Sequence, residues 1–210
     1  MKIVCPTITA ENSHIYREQV ERVCTFAQHL HIDLMDGKFT QNQSIEPEKL
    51  WLPDNITCDV HAMYDNPESI FAEVSKLPVR TFIVPAESKC DFKSLSSLVR
   101  AKNINFGVSL LAETTVESAR KAIELADHVL IFSGNLGHQG GSTADLNLLR
   151  KVAEIKSISS DIEIGWDGGI NSENITKISE SGVSVFNSGG FIHFAKIPSD
   201  TYRSLLAAIT

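Results

Sequence analysis

Short runs of apolar and β-branched residues alternate along the chain with segments whose apolar residues recur at helical spacing. The runs predict eight strands, at residues 2–8, 30–34, 56–62, 80–84, 105–110, 128–132, 161–166 and 183–187. The other segments predict helices at residues 13–28, 47–51, 67–76, 91–102, 115–125, 144–157, 172–181 and 200–209. No Pro/Ser-rich linker or low-complexity stretch interrupts this alternation. Residues 1–210 are therefore predicted to form a single domain.

Eight strand-then-helix units predict an α/β fold of the (β/α)8 (TIM) barrel type. Parallel strands need crossover connections, and closing the sheet into a ring leaves no unpaired edge. An open doubly wound sheet is the alternative, and it normally carries a G-x-G-x-x-G turn after its first strand. Here the first strand runs into Thr7-Ile8-Thr9-Ala10-Glu11, which contains no glycine. In a barrel, functional residues lie at the carboxyl ends of the strands.

Composition narrows the possible partners. The chain has 19 Lys and Arg against 26 Asp and Glu, a formal net charge of −7, which argues against nucleic acid and against an anionic membrane surface. No window approaches the roughly 18 apolar residues of a membrane span, and no signal-peptide pattern is present. Four cysteines lie far apart without a C-x-x-C pair, at positions 5, 24, 58 and 90. Reduced thiols in a cytoplasmic protein are therefore expected.

Metal-type ligands follow three of the predicted strands. Side chains alternate along a strand, so His31 and Asp33 share one face, and His61 ends the next strand with Asp59 one step below it. Asp167 ends strand seven. In a closed barrel the side chains of His31, Asp33, His61 and Asp167 can converge, and this donor set suits Zn, Fe(II), Mn or Co better than Mg or Ca. The alternative interpretation is that these residues are helix caps and core histidines.

Glycines follow the last three predicted strands and indicate a phosphate site, because backbone N–H groups in such turns can surround an anion. They are Gly137, Gly140 and Gly141 after strand six, Gly168 and Gly169 after strand seven, and Gly189 and Gly190 after strand eight. Tight turns alone are the alternative explanation. His138 is the nearby candidate for a positive group. Met35 and Met63 would line the same mouth, although methionine at strand ends more often serves packing.

Several segments together resemble the signature sequences of the ribulose-phosphate 3-epimerase family. They are residues 31–39 (HIDLMDGKF), 59–63 (DVHAM) with Asn66-Pro67, 135–141 (NLGHQGG), and 167–171 (DGGIN) with Asn174-Ile175. The resemblance extends from Pro6 to about Ile192, with the segments in the order of the family. It implies a (β/α)8 barrel that binds one divalent metal through His31, Asp33, His61 and Asp167, without an organic cofactor.

The same resemblance implies an isomerase of the pentose phosphate pathway that epimerises C3 of a 2-ketose phosphate. Asp33 and Asp167 would be the two acid/base groups, because one proton must leave one face of C3 and another must return to the opposite face. The metal would stabilise the enediolate charge as a Lewis acid. Met35 and Met63 match methionines that line the metal pocket of the family. D-ribulose 5-phosphate and D-xylulose 5-phosphate are the expected substrate pair.

Several positions differ from the family pattern. The family usually has Ser where Thr7 and Gly190 stand, His where Pro85 stands and Met where Phe132 stands, while Lys38 and Trp166 replace the usual His and Val. The loop reads NLGHQGG where the family reads NPGFGG, so Leu136, His138 and Gln139 alter the phosphate site. Thr7 keeps a hydroxyl, and we expect it to bind substrate together with the glycines, His138 and the two methionines.

These differences leave other functions open. An epimerase for another sugar phosphate, such as D-allulose 6-phosphate, is the first alternative. A lyase or decarboxylase on a related barrel would carry a D-x-K-x-x-D pattern, whereas this chain reads Asp33-Leu34-Met35-Asp36. A non-catalytic protein that binds sugar phosphates is a third possibility, against which the retained Asp33 and Asp167 speak. A homo-oligomer is possible, because barrels of this type commonly assemble.

Overall fold

The computed structural model describes residues 2–138 and 140–210. Eight parallel strands close into a barrel in the order β1 to β8, with each strand paired to its neighbours in sequence and β8 paired to β1. The predicted (β/α)8 barrel is confirmed. The strands are β1 Ile3–Thr9, β2 His29–Met35, β3 Thr57–Met63, β4 Val79–Pro85, β5 Asn105–Leu110, β6 His128–Phe132, β7 Glu163–Asp167 and β8 Val185–Ser188.

Helices follow the strands and cover the outside of the barrel. They are α1 Ser13–Val23, α2 Glu68–Val74, α3 Phe92–Arg100, α4 Arg120–Ile123, α5 Arg150–Ile158, α6 Ile175–Glu180, α7 Gly190–His193 and α8 Pro198–Ala207. Two short 3-10 helices lie at Pro47–Lys49 and Leu146–Leu149. Within residues 2–138 and 140–210, none of the helices has both the length and the apolar character that a membrane span requires.

Strand alternation separates an apolar layer from a polar one. On β2, Ile32 and Leu34 are buried in the hydrophobic core. His31 and Asp33 face the inside of the barrel, where His31 approaches Asp167 and Asp33 approaches His61. Apolar burial against the helices therefore leaves the inward positions near the strand ends free for polar chemistry.

The helices differ more from the prediction than the strands do. α1 begins as expected, because the Asn12 side chain accepts hydrogen bonds from the backbone N–H groups of His14 and Ile15, but it ends at Val23 rather than near residue 28. The segment predicted as a helix at 115–125 is regular only in α4, since Thr115 and Ser118 bond to each other and form a turn before it.

The short helix α7 was not predicted, because its sequence begins with the glycine pair expected to form a phosphate loop. His193 at its end is buried, and its ring Nε2 lies 2.9 Å from the backbone oxygen of Thr7. The Arg22 side chain donates to the backbone oxygen of His193 at 3.1 Å. These contacts hold the segment after β8 against α1 and β1, next to the mouth of the barrel.

Candidate active site

The four predicted metal ligands meet inside the carboxyl end of the barrel. The register of β2 and β3 places Asp33 opposite His61. His31 Nε2 lies 3.3 Å from Asp33 Oδ1 and 3.4 Å from Asp167 Oδ2, and His61 Nδ1 lies 3.4 Å from Asp33 Oδ1. One donor atom from each residue lies within 4.8 Å of all the others. All four side chains are buried.

These spacings fit a divalent metal. Four ligand atoms placed tetrahedrally about 2.0–2.2 Å from an ion are separated from one another by about 3.3–3.6 Å. The four facing atoms have no hydrogen-bond partner among the described residues; they are His31 Nε2, Asp33 Oδ1, His61 Nδ1 and Asp167 Oδ2. Unpaired buried donors and acceptors are unfavourable, and a cation would satisfy all four at once.

Neighbouring hydroxyl groups fix the orientation of two ligands. Ser109 Oγ lies 2.9 Å from His61 Nε2, which turns the Nδ1 atom toward Asp33. The hydroxyl of Thr9 donates to Asp33 Oδ2 at 2.8 Å, so the two carboxylate oxygens have different partners. Gln19 in turn bonds to both the backbone N–H and the backbone oxygen of Thr9. Such outer contacts orient metal ligands and hold their geometry.

The two carboxyl groups have opposite pKa shifts. Burial raises the pKa of Asp167 to about 7, the charge of Asp33 adds to the shift, and His31 opposes it. Burial also opposes ionisation of Asp33, but contacts with His31 and His61 outweigh it and lower the pKa of Asp33. Without a bound cation, Asp33 is an anion near neutral pH while Asp167 can hold a proton, and a bound cation would lower both pKa values. A split of this kind is what a carboxylate pair needs to act as base and acid.

The histidines also respond to this environment. Burial lowers the pKa of His61, with Asp33 opposing the shift, so its ring is neutral near pH 7, as a metal ligand must be. Burial acts in the same direction on His31, but contacts with Asp33 and Asp167 outweigh it and raise the pKa of His31. Negative charge therefore dominates around His31, which favours a bound cation.

A cavity of ≈ 230 Å³ opens above the cluster. Asp33 and Asp167 reach its floor, and Met63 and Phe132 give it apolar walls. The predicted glycines form most of its rim; Gly137, Gly140, Gly141, Gly168, Gly169, Gly189 and Gly190 all line it. The structure thus brings the predicted ligand set and the predicted glycine turns to one cavity.

Two of these glycines are required by the backbone itself. Gly168 has φ +108°, and a Cβ atom there would lie 2.2 Å from the backbone nitrogen of Gly134. Gly169 has φ +71°, and its Cβ would lie 2.1 Å from the backbone nitrogen of Ala144. Both conformations are ones that residues with a side chain rarely adopt. Close packing of the loops after β6 and β7 therefore accounts for this pair, whatever the cavity binds.

The amino-acid sequence matches a known protein family over most of its length. The model of the "Ribulose-phosphate 3 epimerase family" matches residues 3–193. The chain belongs to the ribulose-phosphate 3-epimerase family. The predicted enzyme class, an isomerase that epimerises carbohydrates, is thereby confirmed.

Relatives agree with membership of the ribulose-phosphate 3-epimerase family, and a solved structure shares the fold. The chain is 32% identical over 203 residues to a ribulose-phosphate 3-epimerase from Helicobacter pylori, covering 93% of this chain and 92% of the relative. A second relative of that name, from Encephalitozoon cuniculi, is 32% identical over 164 residues, covering 77% and 74%. A crystal structure of 3-hexulose-6-phosphate synthase superposes with a TM-score of 0.69 over 100% of both chains at 18% identity, a likeness of fold alone.

The remaining predicted residues of this epimerase-family chain take different positions. Thr7 and His138 line the cavity with Met63. Met35 is buried and is paired with Met63 on β3, but it is not among the described residues that line the cavity. His138 is exposed, and its Nδ1 lies 3.5 Å from Asn42 Nδ2. Gln139 lies outside the described residues.

The cavity of this epimerase-family chain also contains residues that were not predicted, among them Thr9 and Asn187. Thr9 and Asn187 both line the cavity, at inward positions of β1 and β8. Extending strand alternation from Thr7 by two residues reaches Thr9, so that signal was present in the sequence. Asn187 pairs with Asp167 across β7 and β8. It could be found only once the register of β8 was known.

Proposed function

We propose that the chain interconverts D-ribulose 5-phosphate and D-xylulose 5-phosphate by two-base proton transfer at C3, with one divalent metal and no organic cofactor. The observation that carries the proposal is the pair Asp33 and Asp167, which share a buried donor set with His31 and His61 at the floor of a cavity rimmed by glycines. The relatives named above are ribulose-phosphate 3-epimerases. We further propose a cytoplasmic location.

The chemistry assigns a separate task to each carboxyl group. Asp33, which is an anion near neutral pH, acts as base toward the C3 proton of one epimer. Asp167, whose pKa is raised by burial, returns a proton to the opposite face. In the reverse direction the two groups exchange roles. When bound by His31, Asp33, His61 and Asp167, the metal supplies Lewis-acid stabilisation of the negative charge on the substrate oxygens.

Other residues bind and shield the substrate. Backbone groups of the rim glycines would hold the phosphate, with His138 as the nearby imidazole and Thr7 as a hydroxyl ligand. Met63 and Phe132 provide apolar surface that excludes water from the reacting carbon. Local groups and the metal thus allow an anionic substrate to bind a chain whose formal net charge is −7. A homo-oligomeric assembly and the absence of a nucleic-acid partner stay predictions.

One experiment tests both the reaction and its metal dependence. The protein is stripped with a chelator, reloaded with one equivalent of Zn, Fe(II), Mn or Co, and incubated with ribulose 5-phosphate in D2O. We expect xylulose 5-phosphate to form and deuterium to enter at C3 only after reloading, as followed by NMR. Exchange with allulose 6-phosphate alone would change the substrate assignment. No exchange with either sugar would contradict the epimerase proposal, and equal exchange in the stripped protein would contradict the metal requirement.

Thr9 is predicted to be a positioning residue for Asp33. Replacing Thr9 with valine removes the hydroxyl that donates to Asp33 Oδ2 at 2.8 Å while keeping the shape of the side chain. A hydrogen bond to a charged group contributes about 1.5–3 kcal/mol, so we expect kcat to fall roughly 10- to 100-fold with little change in KM. Thr9→Ser, which keeps the hydroxyl, should restore most of kcat. A kcat unchanged in Thr9→Val would contradict the positioning role.

A further inference from the structure

A buried amide without a protein partner lines the cavity. Asn187 is 1% exposed, and neither its Nδ2 nor its Oδ1 atom has a hydrogen-bond partner among the described residues. Buried polar groups in proteins are nearly always hydrogen bonded, because an unpaired one has lost its contacts with water and gained nothing in return. We therefore expect the hydrogen-bond partner of the Asn187 amide to come from outside the described part of the protein chain.

The strand register places this amide beside the proposed acid/base pair. Asn187 is the Cα partner of Asp167 across β7 and β8, and of Cys5 across β8 and β1. Paired residues of neighbouring strands project to the same face, so Asn187 faces the barrel interior together with Asp167. Both residues line the cavity that also contains Asp33 and Thr9. A molecule that contacts both carboxyl groups lies next to the amide.

The chemistry of an amide indicates what kind of molecule this is. A primary amide has two N–H donors and an oxygen that accepts. A metal ion would use the oxygen only, and a phosphate would use the N–H groups only. Each would leave half of the amide unpaired. A hydroxyl group both donates and accepts, so a chain of adjacent hydroxyl and carbonyl oxygens can satisfy both ends.

We propose that Asn187 is a substrate-binding residue. Its amide hydrogen bonds to hydroxyl or carbonyl oxygens of the sugar chain, close to C3, the carbon that exchanges a proton with Asp167. This inference rests on the proposed function, which places an open-chain sugar phosphate in the cavity. It assigns recognition of the polyol chain to β8 and leaves the phosphate to the glycine rim. Asn187 thereby helps to determine which hydroxyl pattern the enzyme accepts.

The test uses Asn187→Leu, which keeps the number and branching of the side-chain heavy atoms and has no polar atoms. Replacing an unpaired buried amide with an apolar group leaves stability equal or higher, so the unfolding temperature should not fall. The KM for ribulose 5-phosphate should rise roughly 10- to 100-fold, because the sugar oxygens lose their partners. The matched control is Thr81→Val. Thr81 Oγ1 is also buried without a partner among the described residues, but Thr81 does not line the cavity, so KM should not change.

A binding measurement separates failure of this inference from failure of the proposed function. Calorimetry with ribitol 5-phosphate and with inorganic phosphate needs no turnover. Asn187→Leu should weaken the affinity for ribitol 5-phosphate and leave that for phosphate unchanged, even if the wild type does not epimerise ribulose 5-phosphate. If the leucine variant does not fold, Asn187→Ala serves instead with the same expectation. Equal affinity for ribitol 5-phosphate in wild type and variant would overturn the role of Asn187 in binding.

Discussion

Replacing either Asp33 or Asp167 with asparagine is expected to stop interconversion of the two ketopentose phosphates, with kcat lower by about 10²- to 10⁴-fold. Each change keeps the size of the side chain but removes one proton-transfer group. Both carboxyl groups lie in the same buried donor set, 3.3 and 3.4 Å from His31 Nε2. Asp65→Asn is the matched control, because this carboxyl group pairs with Lys89 outside the cavity. Its activity should stay within about twofold of the wild type.

The two variants are expected to differ from each other when each epimer is incubated separately in D2O. A two-base reaction assigns one carboxyl group to each face of C3, so a variant that keeps one base can still exchange the C3 hydrogen of one epimer. Asp33→Asn and Asp167→Asn should then retain exchange with opposite epimers. Metal content is measured on each sample, because both residues are proposed ligands. Full exchange of both epimers in both metal-loaded variants would contradict the two-base assignment.

The sequence predicts the barrel well because parallel strands that are buried on both faces form short apolar runs. β5 and β6 have the predicted bounds, Asn105–Leu110 and His128–Phe132, and nearly all of their residues are buried. Helix bounds are less predictable. α1 is shorter than its apolar spacing suggests, and α7 was missed, because the ends of both depend on contacts between distant segments. The Arg22 and His193 contacts that hold α7 join residues 171 positions apart.

The candidate site, too, contains residues that the sequence predicts and one that it does not. His31, Asp33, His61 and Asp167 were predicted to converge, because imidazole and carboxylate groups at strand ends have a recognisable metal chemistry. Asn187 has no such signature in the sequence. Its importance lies in what surrounds it, namely the absence of a hydrogen-bond partner for a buried amide among the described residues, and only three-dimensional packing shows this.

A second large effect is expected at the opposite end of the barrel, where an ionic network lies among the first residues of several strands. Arg80 donates to Asp59 at 2.9 and 2.5 Å and to Glu163 at 3.0 and 2.8 Å. His128 Nδ1 lies 2.8 Å from Glu163, and His29 Nε2 lies 3.1 Å from Asp59. Asp59 is fully buried. Asp59, which lies one step below His61 on the same face of β3, thus belongs to this network rather than to the metal site.

Arg80→Met is expected to destabilise the fold by about 3–5 kcal/mol, because it removes both guanidinium hydrogen bonds from the buried Asp59 carboxylate and leaves it only His29. For a chain of this size the unfolding temperature should fall by roughly 10 °C. Differential scanning calorimetry measures the change, with Arg203→Met as control. Arg203 pairs with Asp200 on the exposed surface of α8, where an ion pair contributes little. An unfolding temperature equal to that of the wild type would contradict this account of the network.

The destabilisation by Arg80→Met should depend on pH and on whether Asp59 is still present. Burial opposes ionisation of Asp59, but contacts with His29 and Arg80 outweigh it and lower its pKa in the folded protein. The network therefore stabilises the wild type above the unfolded-state pKa of about 3.9 and loses this contribution as the pH falls through the lower folded-state pKa. In Arg80→Met only the contact with His29 still opposes burial, so Asp59 takes up a proton at higher pH than in the wild type and the loss of stability shrinks as the medium is acidified. Asp59→Leu combined with Arg80→Met removes the uncompensated charge, so we expect the double variant to be more stable than Arg80→Met alone.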